Sequence, residues 1–154
     1  MKQLLVGIIL LLLIGGITMI AEYEPPLVPK PVELPAHSDP SVYLLPDPDV
    51  PVAAEGARFY LCNATQSDID AGEPTAFTLY QKIDGLWYTA EHQAVDSIAL
   101  SYCLSPGRRK ALELQDGWSS YGRLSPGQYC IVVYYYGWDE QGTRHALYTF
   151  DISE

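Results

Sequence analysis

The sequence predicts an all-β Greek-key sandwich of seven or eight short strands, carried behind one apolar N-terminal helix. Three observations predict it. From Ala57 onward, apolar and polar residues alternate in short stretches between turn signals, with no sustained helical period. Those stretches are packed into roughly 100 residues, the density of a sandwich. Ahead of them stands an uncharged run from Leu4 to Ala21, followed by a proline-rich stretch.

The N-terminal run, LLVGIILLLLIGGITMIA, holds 18 residues behind Lys2. As a helix it reaches about 27 Å, close to the thickness of a hydrocarbon core. A cleaved signal has a shorter apolar region that ends in small residues. Here a cut after Ala21 would place Met19 at the third position before it, a poor fit, so an uncleaved transmembrane anchor (residues 1–21) is favoured over a cleaved, secreted form. Lys2 on one side and Glu22 and Glu24 on the other orient the chain with its C-terminal part outside the cell membrane, as a single-pass protein. Residues 22–37 read as an extended polyproline-type linker, because nine of the twelve prolines fall between Glu22 and Val52. The sandwich is expected over 38–154, with Ser41 to Leu45 as a first edge strand.

Within the sandwich each strand has its own signal. Ala57, Phe59 and Leu61 alternate with Arg58, Tyr60 and Cys62. Phe77 and Leu79 open a strand that runs into Ile83-Asp84-Gly85-Leu86. Asp84-Gly85 between apolar flanks predicts a type I′ hairpin turn, and Trp87 and Tyr88 open the returning strand. Ile98, Leu100 and Tyr102 alternate again, as do Leu112 and Leu114 ahead of Asp116-Gly117. Tyr129 to Tyr136 is the longest stretch, and Gly137 to Gly142 turns it back into Ala146, Tyr148, Phe150 and Ile152.

The segments FTLYQKIDGLWY (Phe77 to Tyr88) and YGRLSPGQY (Tyr121 to Tyr129) resemble a bacterial immunoglobulin-like domain family found in surface proteins of Gram-positive gut bacteria. Leu61 to Thr65 and Phe150-Asp151-Ile152 resemble two further strand ends of that family, so the likeness spans about residues 40–154. It implies an immunoglobulin-like sandwich with no catalytic residues. Cys130 and the Tyr80-Gln81 pair depart from the pattern and alter the outer face. Pro126-Gly127 makes a tight turn, and Tyr129 then enters its strand ring-inward, which resembles a tyrosine corner whose phenol bonds a backbone group upstream.

Chemistry is sparse. Alternation turns Cys62, Cys103 and Cys130 outward, so three free thiols are expected, with Cys62 and Cys103 at best two strands apart in one sheet. His37, His92 and His145 lack metal-site spacing, and hairpin pairing sets His145 near Tyr134 or Tyr136 rather than beside Cys130. Asp47, Asp49, Asp68 and Asp70 read as solvated loop carboxylates. Asn63-Ala64-Thr65 is a formal glycosylation sequon. No cofactor and no enzymatic activity are expected. All 19 acidic residues lie at or after Glu22 against 8 basic ones there, and Arg108-Arg109-Lys110 forms the one basic cluster, so nucleic acid is an unsuitable partner.

The expected partners are the membrane, through residues 4–21, and envelope proteins or a host surface. The expected function is surface binding or adhesion by a tethered extracytoplasmic module. Its candidate binding face is Val132, Tyr134 and Tyr136 on one strand, Leu147 opposite, and Trp138 at the hairpin tip. The competing readings are an accessory envelope domain without its own ligand and a secreted sugar or small-molecule binder. The structural set is Pro126, Gly127, Tyr129, Asp84, Gly85 and Trp87.

Overall fold

Alternating apolar residues can bury one face only by pairing into sheets, and the chain does so twice. The computed structural model describes residues 29–72, 77–91, 101–114, 118–137 and 142–153. Within them lie β1 (Val42–Pro46), β2 (Ala57–Asn63), β3 (Ile69–Gly72), β4 (Phe77–Ile83), β5 (Leu86–Thr89), β6 (Ser101–Leu104), β7 (Arg109–Leu114), β8 (Gly127–Gly137) and β9 (Thr143–Ile152). One sheet has the order β1-β2-β7; the other gathers β3, β4, β5, β6 and β9 around β8. Every pairing is antiparallel.

The second sheet is a four-row structure with interruptions. Along one edge of β8, β4 pairs with its first half (Lys82↔Gln128 to Phe77↔Val133) and β3 with its last residues (Ala71↔Tyr135 to Ile69↔Gly137). β5 and β6 lie outside β4 and β3 in the same sequence. β9 covers the other edge from Gly127↔Ile152 to Tyr136↔Thr143. The molecule therefore has two ends. The β4–β5 hairpin and the start of β8 form the lower one; the end of β2, the start of β7 and the end of β8 form the upper one.

Between the sheets lies one core, in which Phe59, Leu61, Leu79, Leu112, Leu114, Ile131, Val133, Tyr135 and Ala146 are fully enclosed. The inward set expected on β8 (Tyr129, Ile131, Val133, Tyr135) is the set observed. Trp118 fills the lower part of the core, which sequence patterning did not foresee. Its ring stacks on Phe150 at 5.0 Å and lies 6.3 Å from Phe59, while its indole N–H donates to the Ala53 carbonyl at 2.9 Å. Placing that ring requires Trp118 to hold φ at 55°, a left-handed conformation unusual for a bulky residue.

The predicted turns are present. Asp84 and Gly85 have φ of 50° and 84°, the two positive angles of a type I′ turn, and Ile83 pairs with Leu86 across it. The Tyr129 hydroxyl donates to the Ser125 carbonyl at 2.9 Å, four residues upstream, just ahead of Pro126-Gly127. β3 corrects the expectation for Asp70, which stands in a strand opposite Cys103 rather than in a loop. Cys62 and Cys103 occupy different sheets, so the expected shared sheet does not form.

A second small core lies on the outer face of the larger sheet, and it changes the reading of residues 29–37. Val32 bridges to Trp87, its N–H donating to the Trp87 carbonyl at 2.8 Å. Leu34 packs with Trp87, Tyr134 and Leu147 around Tyr80, Cys130 and Val132. Ser38 then exchanges two bonds with His145: its N–H donates to the His145 carbonyl at 3.0 Å, and its Oγ accepts from the His145 N–H at 2.9 Å. This part of the expected free spacer is thus a strap, crossing the outer face upward before entering β1. No helix among the described residues is long and apolar enough to cross a membrane, and the run from Leu4 to Ala21 lies outside them.

Replacing Tyr129 by Phe should keep the fold and lower stability by about 1 kcal/mol, since one buried hydrogen bond goes while the ring stays. Urea denaturation of the two proteins checks this; equal midpoints would mean that the bond to Ser125 contributes nothing.

Candidate functional site

The outer face expected to bind partners points the right way and is mostly closed. Val132 and Leu147 are opposite each other, and Tyr134 faces His145 edge-on at 5.2 Å. Yet Val132 is 0% exposed, Tyr134 and Leu147 are half-buried, and Leu34 lies over them. The expected contiguous apolar face is corrected accordingly: exposed apolar area is costly in water, and the strap removes it. Tyr136, 52% exposed at the upper end, remains open, and Trp138 lies outside the described residues.

The cysteines follow the same logic. Cys130 points outward from the core but is 0% exposed beneath the strap. Cys62 is buried on the outer face of β2, and Cys103 is exposed; all three are free. Burial pushes the Cys62 and Cys130 thiols upward, and desolvation with the Asp68 and Asp70 carboxylates does so at Cys103. Cys130 pairs with Thr149 in register while His145 pairs with Tyr134, so no thiol–imidazole couple forms between them. No group of three metal-ligating side chains exists among the described residues.

Among the described residues, one amide and one carboxylate are buried, and both are hydrogen-bonded. Asn63, 1% exposed, donates through Nδ2 to the Ser67 and Leu104 carbonyls and accepts at Oδ1 from the Thr65 N–H and hydroxyl. The folded chain therefore offers no free amide at the sequon, and Asn63 instead ties β2 to β6 at the upper end. Asp47, 6% exposed, accepts from the Asp49 N–H at 2.9 Å, the Tyr60 hydroxyl at 3.0 Å and Arg58 at 3.2 Å. The Asp49 N–H, then Tyr60 and Arg58, hold its carboxyl below the usual carboxylate range, against the opposing pull of burial.

Concavities lie at both ends. At the lower end, a cleft of about 390 Å³ lies between the hairpin and the turn before β8, with Pro29, Ile83, Tyr88, Tyr121 and Tyr129 among its walls. Two of its phenols are committed, Tyr129 to Ser125 and Tyr121 to the Leu79 N–H, which it accepts at 3.1 Å. At the upper end, a groove of about 460 Å³ opens on the outer face of the three-stranded sheet. Register sets Tyr43, Cys62 and Arg109 in one row and Leu45, Tyr60 and Ala111 in the next. Tyr43 and Leu45 are 38% and 42% exposed, and the Arg109 guanidinium lies 4.3 Å from the Tyr60 ring centre. Among the described residues, no acidic side chain pairs with Arg108, Arg109 or Lys110, whereas Arg58, Arg123 and Arg144 each have a carboxylate partner. Sequence reading noticed the basic cluster but used it only to weigh nucleic acid.

No family model, curated protein or solved structure matches the chain.

Two outcomes follow from these burials. In the full chain, Cys103 should be alkylated far faster than Cys62 and Cys130; shortening the chain to start at residue 38 should bring Cys130 into the fast class. Mass-mapped labelling checks this, and a Cys130 equally slow in both would mean that the strap does not cover it. Because the Asp47 carboxyl is depressed in the fold, it stabilises fully above its unfolded value of about 3.9, and the contribution fades as pH falls through the lower folded value. The stability advantage of the parent chain over Asp47→Asn should therefore shrink as pH falls below about 4 in urea titrations. A constant difference would place the ion pair elsewhere.

Proposed function

We propose that the chain is a non-enzymatic, membrane-tethered, extracytoplasmic module with an immunoglobulin-like Greek-key fold. It engages an acidic segment of an envelope or surface partner through its upper groove. Support for the fold comes from the three-strand sheet facing a four-row sheet and from the hydrogen-bonded Tyr129 corner, both in keeping with the family resemblance of Phe77–Tyr88 and Tyr121–Tyr129. The tether rests on the apolar run from Leu4 to Ala21. The non-enzymatic reading rests on thiols that are buried or flanked by carboxylates, and on the separation of Cys130 from His145.

The observation that carries the binding site is the Arg108-Arg109 pair, which no carboxylate among the described residues neutralises, beside exposed Tyr43 and Leu45 on a chain of net charge −10. Arg109 stacked on Tyr60 keeps a fixed plane and still presents its edge N–H groups to a carboxylate. Aromatic and arginine side chains of this kind anchor most protein interfaces.

A photo-crosslinking residue placed at Tyr43 of the full chain in cell membranes should trap one partner. Arg108→Glu with Arg109→Glu should reduce that adduct about tenfold, as should raising salt to about 0.5 M, which screens exposed charges. A partner trapped from Tyr136 but not from Tyr43, and indifferent to the charge reversal, would overturn the assignment.

A further inference from the structure

We infer that the tip of the β4–β5 hairpin rests on the lipid surface, with Ile83 and Leu86 as its contact residues. This rests on the reading of residues 4–21 as a membrane segment, and it adds a second, lipid-facing surface to the module. Three observations meet at the tip. First, Ile83 and Leu86 are 48% and 51% exposed, flank the type I′ turn as a register pair, and are the two most exposed apolar side chains of the larger sheet apart from Tyr136. About half of each side chain stays open at the apex of the turn, and exposed apolar area of this kind suits an outside contact.

Second, the strap brings the tether to this end. Pro29 shares the lower cleft with Ile83, and Val32 bonds Trp87 on the strand leaving the turn. Only residues 22–31 then separate Val32, the first bonded residue of the strap, from Ala21, a span of at most about 36 Å when fully extended. A free spacer from residue 22 to residue 37 would have allowed the domain any orientation; a strap docked from Val32 to Ser38 fixes the lower end towards the bilayer.

Third, the tip has the composition of an interfacial contact. On the opposite face of the hairpin from Ile83 and Leu86, Trp87 is half-buried with the Lys82 ammonium 5.5 Å from its ring, and Val32, 36% exposed, lies alongside. A hairpin end with an apolar pair on one face and tryptophan with lysine on the other suits the headgroup layer. Lys30 and Lys82 largely offset Asp84, Glu33 and Glu91 at this end, so the acidic excess that would repel the domain from anionic lipid is smaller there.

The test uses the full chain reconstituted into vesicles of phosphatidylcholine and phosphatidylglycerol at three to one. An environment-sensitive fluorophore is placed at Leu86→Cys or, separately, Ile83→Cys in a Cys103→Ser background. The same label on Cys103 of the parent chain reports the upper end. Labels at 86 and 83 should shift to the blue and be quenched by headgroup-region spin-labelled lipid at least about threefold more than the label at Cys103. Flotation of the vesicles reports the tether separately. A chain that floats with its vesicles but shows equal quenching at 83, 86 and 103 overturns the hairpin contact and leaves the anchor standing. A chain that does not float overturns the anchor, and the hairpin contact with it.

Discussion

The rest of the structure depends on β8 being enclosed on both edges and both faces. Its edges are taken by β9 on one side and by β4 and β3 in succession on the other. Its inward side chains Ile131, Val133 and Tyr135 build the main core, and its outward ones, Cys130 and Val132, are as fully excluded from water. A strand of that composition cannot end a sheet facing solvent: each buried aliphatic side chain stabilises by about 1.5–3 kcal/mol, and exposure would forfeit it. The smaller sheet covers one face. Only the N-terminal segment is left to cover the other, and Leu34, itself partly buried, does so.

That requirement sets the course of the N-terminal segment. The strap enters low, at Trp87, and leaves high, at His145, before the chain crosses into β1 beside Asn63. Each end therefore carries a polar fastening. Low down, Trp118 bonds Ala53 and Tyr129 bonds Ser125. High up, Asn63 bonds carbonyls of β6 and of the loop after β2, with both amide hydrogens used. Buried polar groups satisfied in this way specify a single register more than they add stability, because every alternative leaves one of them unpaired.

The sequence made the direction of side chains legible but not their cover. Period-two alternation assigned the inward residues of β2, β8 and β9, and Asp84-Gly85 and Pro126-Gly127 located two turns from φ requirements alone. Val132 and Cys130 were placed on the outer face correctly, yet alternation says nothing about what lies above a sheet. Proline content drew residues 29–37 as a spacer, since proline-rich chain is extended; an extended chain is equally able to lie on a surface. β3 escaped notice because Asp70 and Gly72 break any alternating pattern, and its pairing with β8 and β6 comes from the neighbours. Trp118 escaped for a related reason: a tryptophan at φ 55° is held there by Phe150, Phe59 and Ala53, which no local window contains.

The two surfaces proposed for this chain stand at opposite ends of the two packed sheets, the groove on the smaller one and the hairpin tip on the larger. β8 spans 11 residues, about 36 Å at the usual rise of a strand. Salt at physiological strength screens exposed charges over about 8 Å, a fraction of that length. On the two proposals, the field of Arg108 and Arg109 would be neither cancelled by anionic lipid at the hairpin end nor recruited to it. A chain held the other way up would place those arginines at the lipid, where headgroup phosphates would occupy them, and would leave Ile83 and Leu86 exposed to water. Both proposals therefore depend on the direction in which the strap crosses β8, low at Trp87 and high at His145.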